Sequence, residues 1–387
     1  MLWVRVFVLG PLVALWFTMG MLFLLGIDKL SDERSSFEAG IIMAVMFGLL
    51  TPLVIASVFP MCARQRPITD LSELCTLLAL PESVLQDGKR ATDEFPLSVP
   101  YSFLRRMECG NPNDPLLLQV LPQNIELRSV AGFTVDPVGE GNGSVNRILR
   151  KYPGRALVLA SSDCGVHCRF CFRRHFQKQK GGLSLDHIRE ATDVHEVILS
   201  GGDPLCLSNR ELMELLHGLS LIPHVRRIRI HSRLPIVEPS RIDAELVDIF
   251  ETFCPIYLVL HVNHPNELDD EVLEHIETLI DIGVPILSQT VLLKGVNDNL
   301  NTLQRLFETL VDHRILPYYL HQLDRVAGAA HFEVPTEVGL QLVTELRHRL
   351  PGYAVPQYVQ EIVGETCKIP LFPLPSDGRQ PATKFSN

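Results

Sequence analysis

Hydrophobic and polar positions divide the chain into stretches of different rhythm. Two nearly unbroken apolar runs come first, Val6 to Gly26 over 21 residues and Ala39 to Pro60 over 22. As helices, each is long enough to cross a hydrocarbon layer of about 30 Å. The polar segment Ile27 to Ser36 reads as the turn between them, so 1–66 is expected to form a transmembrane helical hairpin with both ends on one side. Arg5, Arg64 and Arg66 mark that side as cytoplasmic, a bias weakened by Lys29 and Arg34 in the turn. A cleavable signal and a start codon read too early are the alternatives, and the latter leaves a cytoplasmic protein.

Residues 67–150 turn mixed and helical, forming an N-terminal extension of the strand-rich region. Leu71 to Leu80 is amphipathic, the stretch after Pro100 runs to Cys109 and stops at Gly110, and Pro115 to Val120 continues the pattern. Phe133 to Asn146, rich in glycine and turn residues, makes a loop. From Arg155 onward, short apolar runs alternate with helical patterns at spacings of about 28 to 40 residues, the rhythm of repeated strand–helix units. The predicted strands are Ala156–Ala160, Glu196–Ser200, Arg227–His231, Tyr257–Val262, Pro285–Val291 and Tyr318–Gln322. The expected fold class is α/β, a partial (β/α)6 parallel barrel over 151–335, followed by a C-terminal segment over 336–387.

Composition narrows the picture. With 387 residues and 46% hydrophobic positions, the chain can bury a sizeable core and is not disordered. A formal charge of -10 argues against general nucleic-acid affinity, leaving Arg169, Arg173 and Arg174 as a local basic group suited to small anions. Nine cysteines, an odd number, fit a reducing compartment better than a disulfide framework.

Three of those cysteines stand together as Cys164-x3-Cys168-x2-Cys171, directly after the first barrel strand. Three thiolates can hold three irons of a four-iron cluster, leaving one iron open to a substrate or cofactor. A closed zinc site completed by His167 or His175, a redox pair and chance association share that spacing. A strand running into the motif and a second ending at Ile198–Pro204 suit a barrel better than a zinc finger. In such barrels chemistry collects at the carboxyl ends of the strands. The cysteine motif, Gly201-Gly202-Asp203, His231-Ser232-Arg233, Asn263-His264 and Asp324 all fall there. Taken singly, these are a turn, a core histidine or a helix cap; together they indicate an enzyme.

The motif and its neighbouring words resemble the radical S-adenosylmethionine enzymes, and within them the lysine 2,3-aminomutase family. The words are Cys171-Phe-Arg-Arg-His-Phe176, Ser200-Gly-Gly-Asp-Pro-Leu205, His231-Ser-Arg-Leu-Pro-Ile236 and Asn263-His-Pro-Asn-Glu267. Gly110–Leu116 and Pro317–Phe332 resemble the branch that makes beta-lysine for elongation factor P. The likeness runs from about Ile68 to Pro375 and excludes the apolar N-terminal segment, which that branch ordinarily lacks.

The resemblance implies a [4Fe-4S] cluster held by Cys164, Cys168 and Cys171, S-adenosyl-L-methionine on its open iron, and pyridoxal 5'-phosphate on Lys368. It implies that Ser200, Gly201, Gly202, Asp203 and His231 line the cofactors, with Gln289 and Lys151 at the pyridoxal phosphate. Arg173 is implied as partner of the substrate carboxylate, and Asp324 with Glu361 as holders of the distal amine of lysine. Glu361 is longer than the family's acid, and Gly364-Glu365-Thr366-Cys367 replaces a glycine-rich run. Both departures favour the elongation-factor branch. A flavodoxin or ferredoxin reductant, elongation factor P and its lysyl ligase are the implied partners. An aminomutase for another amino acid, another radical enzyme, and a membrane-anchored iron–sulfur carrier or scaffold are the rival readings.

Overall fold

The computed structural model describes residues 66–141, 147–176, 183–253 and 255–372. The expected hairpin, with spans 6–26 and 39–60, lies outside the described residues. Among the described residues no helix is long and apolar enough to cross a membrane. Pro67–Asn387 forms one compact unit.

Two helices open this unit, α1 (Leu71–Leu77), capped by Asp70 through Ser72 N at 2.8 Å, and α2 (Glu82–Glu94). Nine strands follow in one sheet whose spatial order is the chain order: β1 (Ile148–Leu149), β2 (Arg155–Ser161), β3 (Glu196–Gly201), β4 (Arg227–Ser232), β5 (Ile256–His261), β6 (Ile286–Val291), β7 (Leu316–His321), β8 (Gln357–Gln360) and β9 (Ile369–Pro370). Strands β2 to β8 are parallel, while β1 and β9 run antiparallel along the two edges. The six expected strands all form, and Gln357–Gln360 corrects the count to seven parallel strands. The segment after 335 is therefore part of the sheet and does more than carry Lys368.

Crossover helices start where a polar side chain can satisfy the free N–H groups of the first turn. Ser208 caps α3 (Asn209–Ser220) in a reciprocal arrangement with Glu211. Asp243 caps α4 (Ala244–Thr252), Asp269 caps α5 (Asp270–Asp281) and Asn299 caps α6 (Leu300–Asp312). The last, α7 (Thr336–Arg349), follows Pro335 and places Arg347, His348 and Arg349 in its final turn, where cations suit the helix dipole.

Period-two alternation assigns the two faces of each strand. On β4, Ile228 and Ile230 join the core beneath the helices, while Arg227, Arg229 and His231 point the other way. Leu246, Phe250, Ile276, Leu303 and Phe307 from the helices complete that core, each stabilising the fold by about 1.5–3 kcal/mol. The opposite face is polar. Cross-strand partners share a face, and the register sets His261 beside Gln289 and Gln289 beside Tyr319.

The sheet is curved. Laid flat, six interstrand steps of about 4.8 Å would separate β2 from β8 by roughly 29 Å. Lys151, after β1, nevertheless forms an ion pair with Glu361, just after β8, and Tyr152 donates to the same carboxylate. The strands thus wrap into an arc whose polar face is its interior, with no ladder between its two edges among the described residues.

Candidate functional site at the carboxyl ends of the strands

The cysteine loop leaves β2 and is tied down on both sides. His167 N donates to Ser98 O at 3.0 Å and Arg169 N to Gln119 O at 2.9 Å, so the helical extension braces the loop from outside. From the barrel side, Gly202 N donates to Ser161 O at 2.8 Å and Asp203 N to Asp163 O at 2.7 Å. Gly201 sits at φ 110, and a side chain on Gly202 would collide with the Asp163 backbone, so both glycines are required by close approach.

Asp203 is turned into this scaffold. Its carboxylate accepts from Ser232 Oγ at 2.7 Å, Arg233 N at 2.7 Å, Leu234 N at 2.9 Å and Leu205 N at 3.0 Å, which joins the β3 loop to the β4 loop. Burial raises its acid despite those bonds.

The three arginines around the cysteines do not form a free anion patch, which corrects that expectation. Arg169 and Arg174 both donate to Glu126 Oε2 at 2.7 Å, and Arg169 is fully buried. Arg173 grips Glu140 with two arms at 2.7 and 3.0 Å, and its remaining arm reaches Ser200 Oγ at 3.1 Å and Gly201 O at 3.3 Å. Buried arginines find internal acids because an unpaired buried guanidinium is far costlier than a paired one.

Cys164 is exposed, whereas Cys168 and Cys171 are half-buried. Crowding around its sulfur, then the neighbouring Cys171, pushes the Cys164 thiol up, and burial with Cys168 pushes Cys171 up to about 11. Cys164 and Cys171 are each raised in part by neighbouring cysteines, and burial raises Cys168, so the three form a soft donor set that a cationic cluster core would relieve. Arg233 Nη1 donates to Cys168 Sγ at 2.8 Å, supplying positive charge where a bound thiolate would be. This geometry fits the cluster. Among the described residues no group of three His, Cys, Asp or Glu is set to grip a single metal ion.

Across the arc, Lys368 precedes β9 and donates to Glu361 at 2.6 Å. Burial opposes the charge on Glu361, but Lys368, Lys151 and Tyr152 together outweigh it, and the acid is held down at about 2. Lys151 also donates to Val138 O at 2.9 Å, so the loop before β1 closes over this corner. Asp324 follows β7; burial lifts its acid to about 7, against the pull of Lys368. Three histidines face the same interior. Burial and then Arg229 keep His231 neutral, burial and then Lys368 do so for His321, and burial with Arg233 holds His261 down at about 3. His231 Nε2 and His261 Nε2 are buried with no hydrogen-bond partner among the described residues. Orphaned donors or acceptors beside a lysine fit a polar cofactor such as pyridoxal phosphate.

One interior thus gathers the cysteines, Ser200, His231, Gln289, Arg173, Asp324, Glu361, Lys151 and Lys368. Asp203 supports the wall and does not face the interior. Glu140, Tyr152, Glu126, His261 and His321 belong to the site or its frame and were not foreseen. The strand-end rule that singles out His231 applies equally to His261 and His321; Glu140 carries no such signal in its glycine-rich loop.

The radical SAM superfamily model matches residues 158–306. The chain is 45% identical over 313 residues to the L-lysine 2,3-aminomutase of Escherichia coli (strain K12), covering 79% of this chain and 92% of that protein. It is 42% identical over 313 residues to that of Haemophilus influenzae, with 79% and 93% covered. To that of Clostridium subterminale it is 38% identical over 315 residues, with 79% and 76% covered.

Proposed function

We propose, from the premise that this chain belongs to the L-lysine 2,3-aminomutase family of radical SAM proteins, that it moves the amino group of L-lysine from C2 to C3. The observation that carries this reading is the gathering of Lys368, Glu361, Asp324 and Arg173 with the three cysteines in one interior. When bound, the cluster with S-adenosylmethionine supplies a carbon-centred radical, and pyridoxal phosphate carries the migrating nitrogen.

The chain's own residues bind, orient and shield. Cys164, Cys168 and Cys171 would hold three irons, and the Gly201-Gly202 backbone packs tightly against the loop that carries them. Lys368 is the attachment point for pyridoxal phosphate, with Lys151 and Gln289 beside it. His231 and His321, kept neutral, present polar ring atoms without adding charge to a site already holding two lysines. Arg173 offers a planar fork to the substrate carboxylate, and Asp324 with Glu361 supplies negative charge for the distal ammonium. Phe170 and Phe332, packed edge to face at 6.0 Å, belong to an apolar cluster against which Cys168 packs, and would shield that side of the site.

The long Glu361 and the Gly364–Cys367 sequence support delivery of the product to elongation factor P. The apolar runs over 6–26 and 39–60 support attachment to a membrane. Anaerobic reconstitution with iron, sulfide, pyridoxal phosphate, S-adenosylmethionine and dithionite is expected to convert lysine, and not glutamate or arginine, to its beta isomer. No rearranged lysine under these conditions overturns the reading. Full-length protein is expected to sediment with membranes, and recovery wholly in the soluble fraction overturns the anchor.

A further inference from the structure

Arg233 is the side chain aimed most directly at the cysteine motif. It follows β4 and is almost fully buried, at 5% exposure. One arm, Nη1, donates to Cys168 Sγ at 2.8 Å, and the other, Nη2, reaches Gln119 Oε1 at 2.7 Å and Glu267 Oε2 at 3.2 Å. Its backbone is pinned by Asp203 at 2.7 Å, and the rings of Phe103 and Phe170 lie 5.6 Å from the guanidinium carbon. The guanidinium is therefore held in place whether or not the sulfur changes charge.

Glu267 is equally fixed. Its Oε1 accepts from Asn263 N and His264 N, each at 3.0 Å, and from Gln119 Nε2 at 3.0 Å. The result is a buried dipole, with its positive end on the cysteine sulfur and its negative end one guanidinium further away. The potential of an iron–sulfur cluster depends on nearby charge and on hydrogen bonds to its sulfurs. Reduction adds one electron, so a cation at a ligand sulfur favours the reduced form, strongly so in a low dielectric.

We propose that Arg233 is a positioning residue that raises the reduction potential of the cluster through Cys168, with Glu267 partly offsetting it. This rests on Cys168 being a cluster ligand. It gives the His231-Ser-Arg233 word a task distinct from contact with substrate: setting how readily a low-potential one-electron donor can charge the cluster.

The test is potentiometric titration of the reconstituted full-length chain, followed by electron paramagnetic resonance, without S-adenosylmethionine or lysine. Iron and sulfide are counted in each sample. Arg233→Gln is expected to lower the reduced-to-oxidised ratio at a fixed potential by about tenfold, equal to about 59 mV for one electron. Arg233→Lys is expected to recover part of the shift, and Glu267→Gln to move the potential the opposite way. A purely structural role would leave the potential of assembled clusters unmoved, so unchanged potentials in Arg233→Gln and Glu267→Gln overturn the proposal. If Arg233→Gln fails to assemble a cluster, Arg233→Lys and Glu267→Gln decide, and no shift in Glu267→Gln overturns it. Separately, Cys168→Ala retaining full iron, sulfide and the native spectrum overturns the ligand assignment beneath.

Discussion

Lys368 and Glu361 stand seven residues apart and meet at 2.6 Å, while Lys151 and Tyr152 approach the same carboxylate from the far edge of the sheet. This carboxylate links the two ends of the arc. Its acid, ordinarily at 4.5, is held at about 2 in the fold. A depressed acid stabilises the native state above its unfolded value and loses that contribution as pH falls through the folded one. The stability gap between the native chain and Glu361→Gln is therefore expected to be constant near neutral pH and to close between 4.5 and about 2. Denaturant melts across that range check this, and a gap that persists at the acid end would refute it.

Asp324 behaves in the opposite sense. Its acid is raised from 3.8 to about 7, so the ligand-free fold favours the protonated form, and its contribution to stability declines as pH climbs through that window. A lysine ammonium needs the ionised form. The KM for lysine is expected to fall about tenfold from roughly pH 6 to 8, following the ionised fraction across a pKa of about 7. Asp324→Asn is expected to flatten both profiles. A KM profile that stays unchanged in that variant removes Asp324 from the ammonium site.

Glu140 occupies the fork of Arg173, the group proposed to take the substrate carboxylate. One carboxylate must then give way to another. Glu140→Gln is expected to lower the KM for lysine by about tenfold, the scale of one charge-assisted hydrogen bond of about 1.5 kcal/mol. An increase in KM would show that Glu140 orients Arg173 and does not compete for it.

Gly202 leaves no room for a methyl group against the Asp163 backbone, and backbone on both sides cannot yield as a side-chain end can. Gly202→Ala is expected to cost about 1–3 kcal/mol and to reduce iron loading, because the strained segment runs into Cys164. Gly352→Ala, with nothing within 4 Å of the new carbon, is expected to change neither. Thermal melts and iron counts on both variants test this, and full iron loading in Gly202→Ala would contradict it.

Much of the architecture is legible in the chain because buried parallel strands carry apolar runs at regular spacing. All six predicted strands fall within about two residues of their observed ends, and polar motif residues open the stretches after the first four, whereas the fifth runs on into the buried Leu292 and Leu293. Gln357–Gln360 escapes because it is four residues long, has polar ends and follows a helix that looks terminal. The arginines are visible as charge, but their partners are not: Glu126 lies 43 residues before Arg169, and Glu140 lies 33 before Arg173. Such pairs are made by topology, and a pattern confined to a short window carries no trace of them. Arg233 is conspicuous in its motif, yet only the fold reveals that it points at sulfur.

Among the described residues, the curved sheet has main-chain hydrogen bonds across every neighbouring strand pair but not between its two ends, where Lys151 meets Glu361. Backbone ladders spread the closure over many bonds, whereas the clasp concentrates it on one largely buried carboxylate, where salt screens little. The width of the cavity is thus set by two different kinds of fastening. The charge on one carboxylate, Glu361, therefore governs the seam, whereas no single side chain governs a ladder.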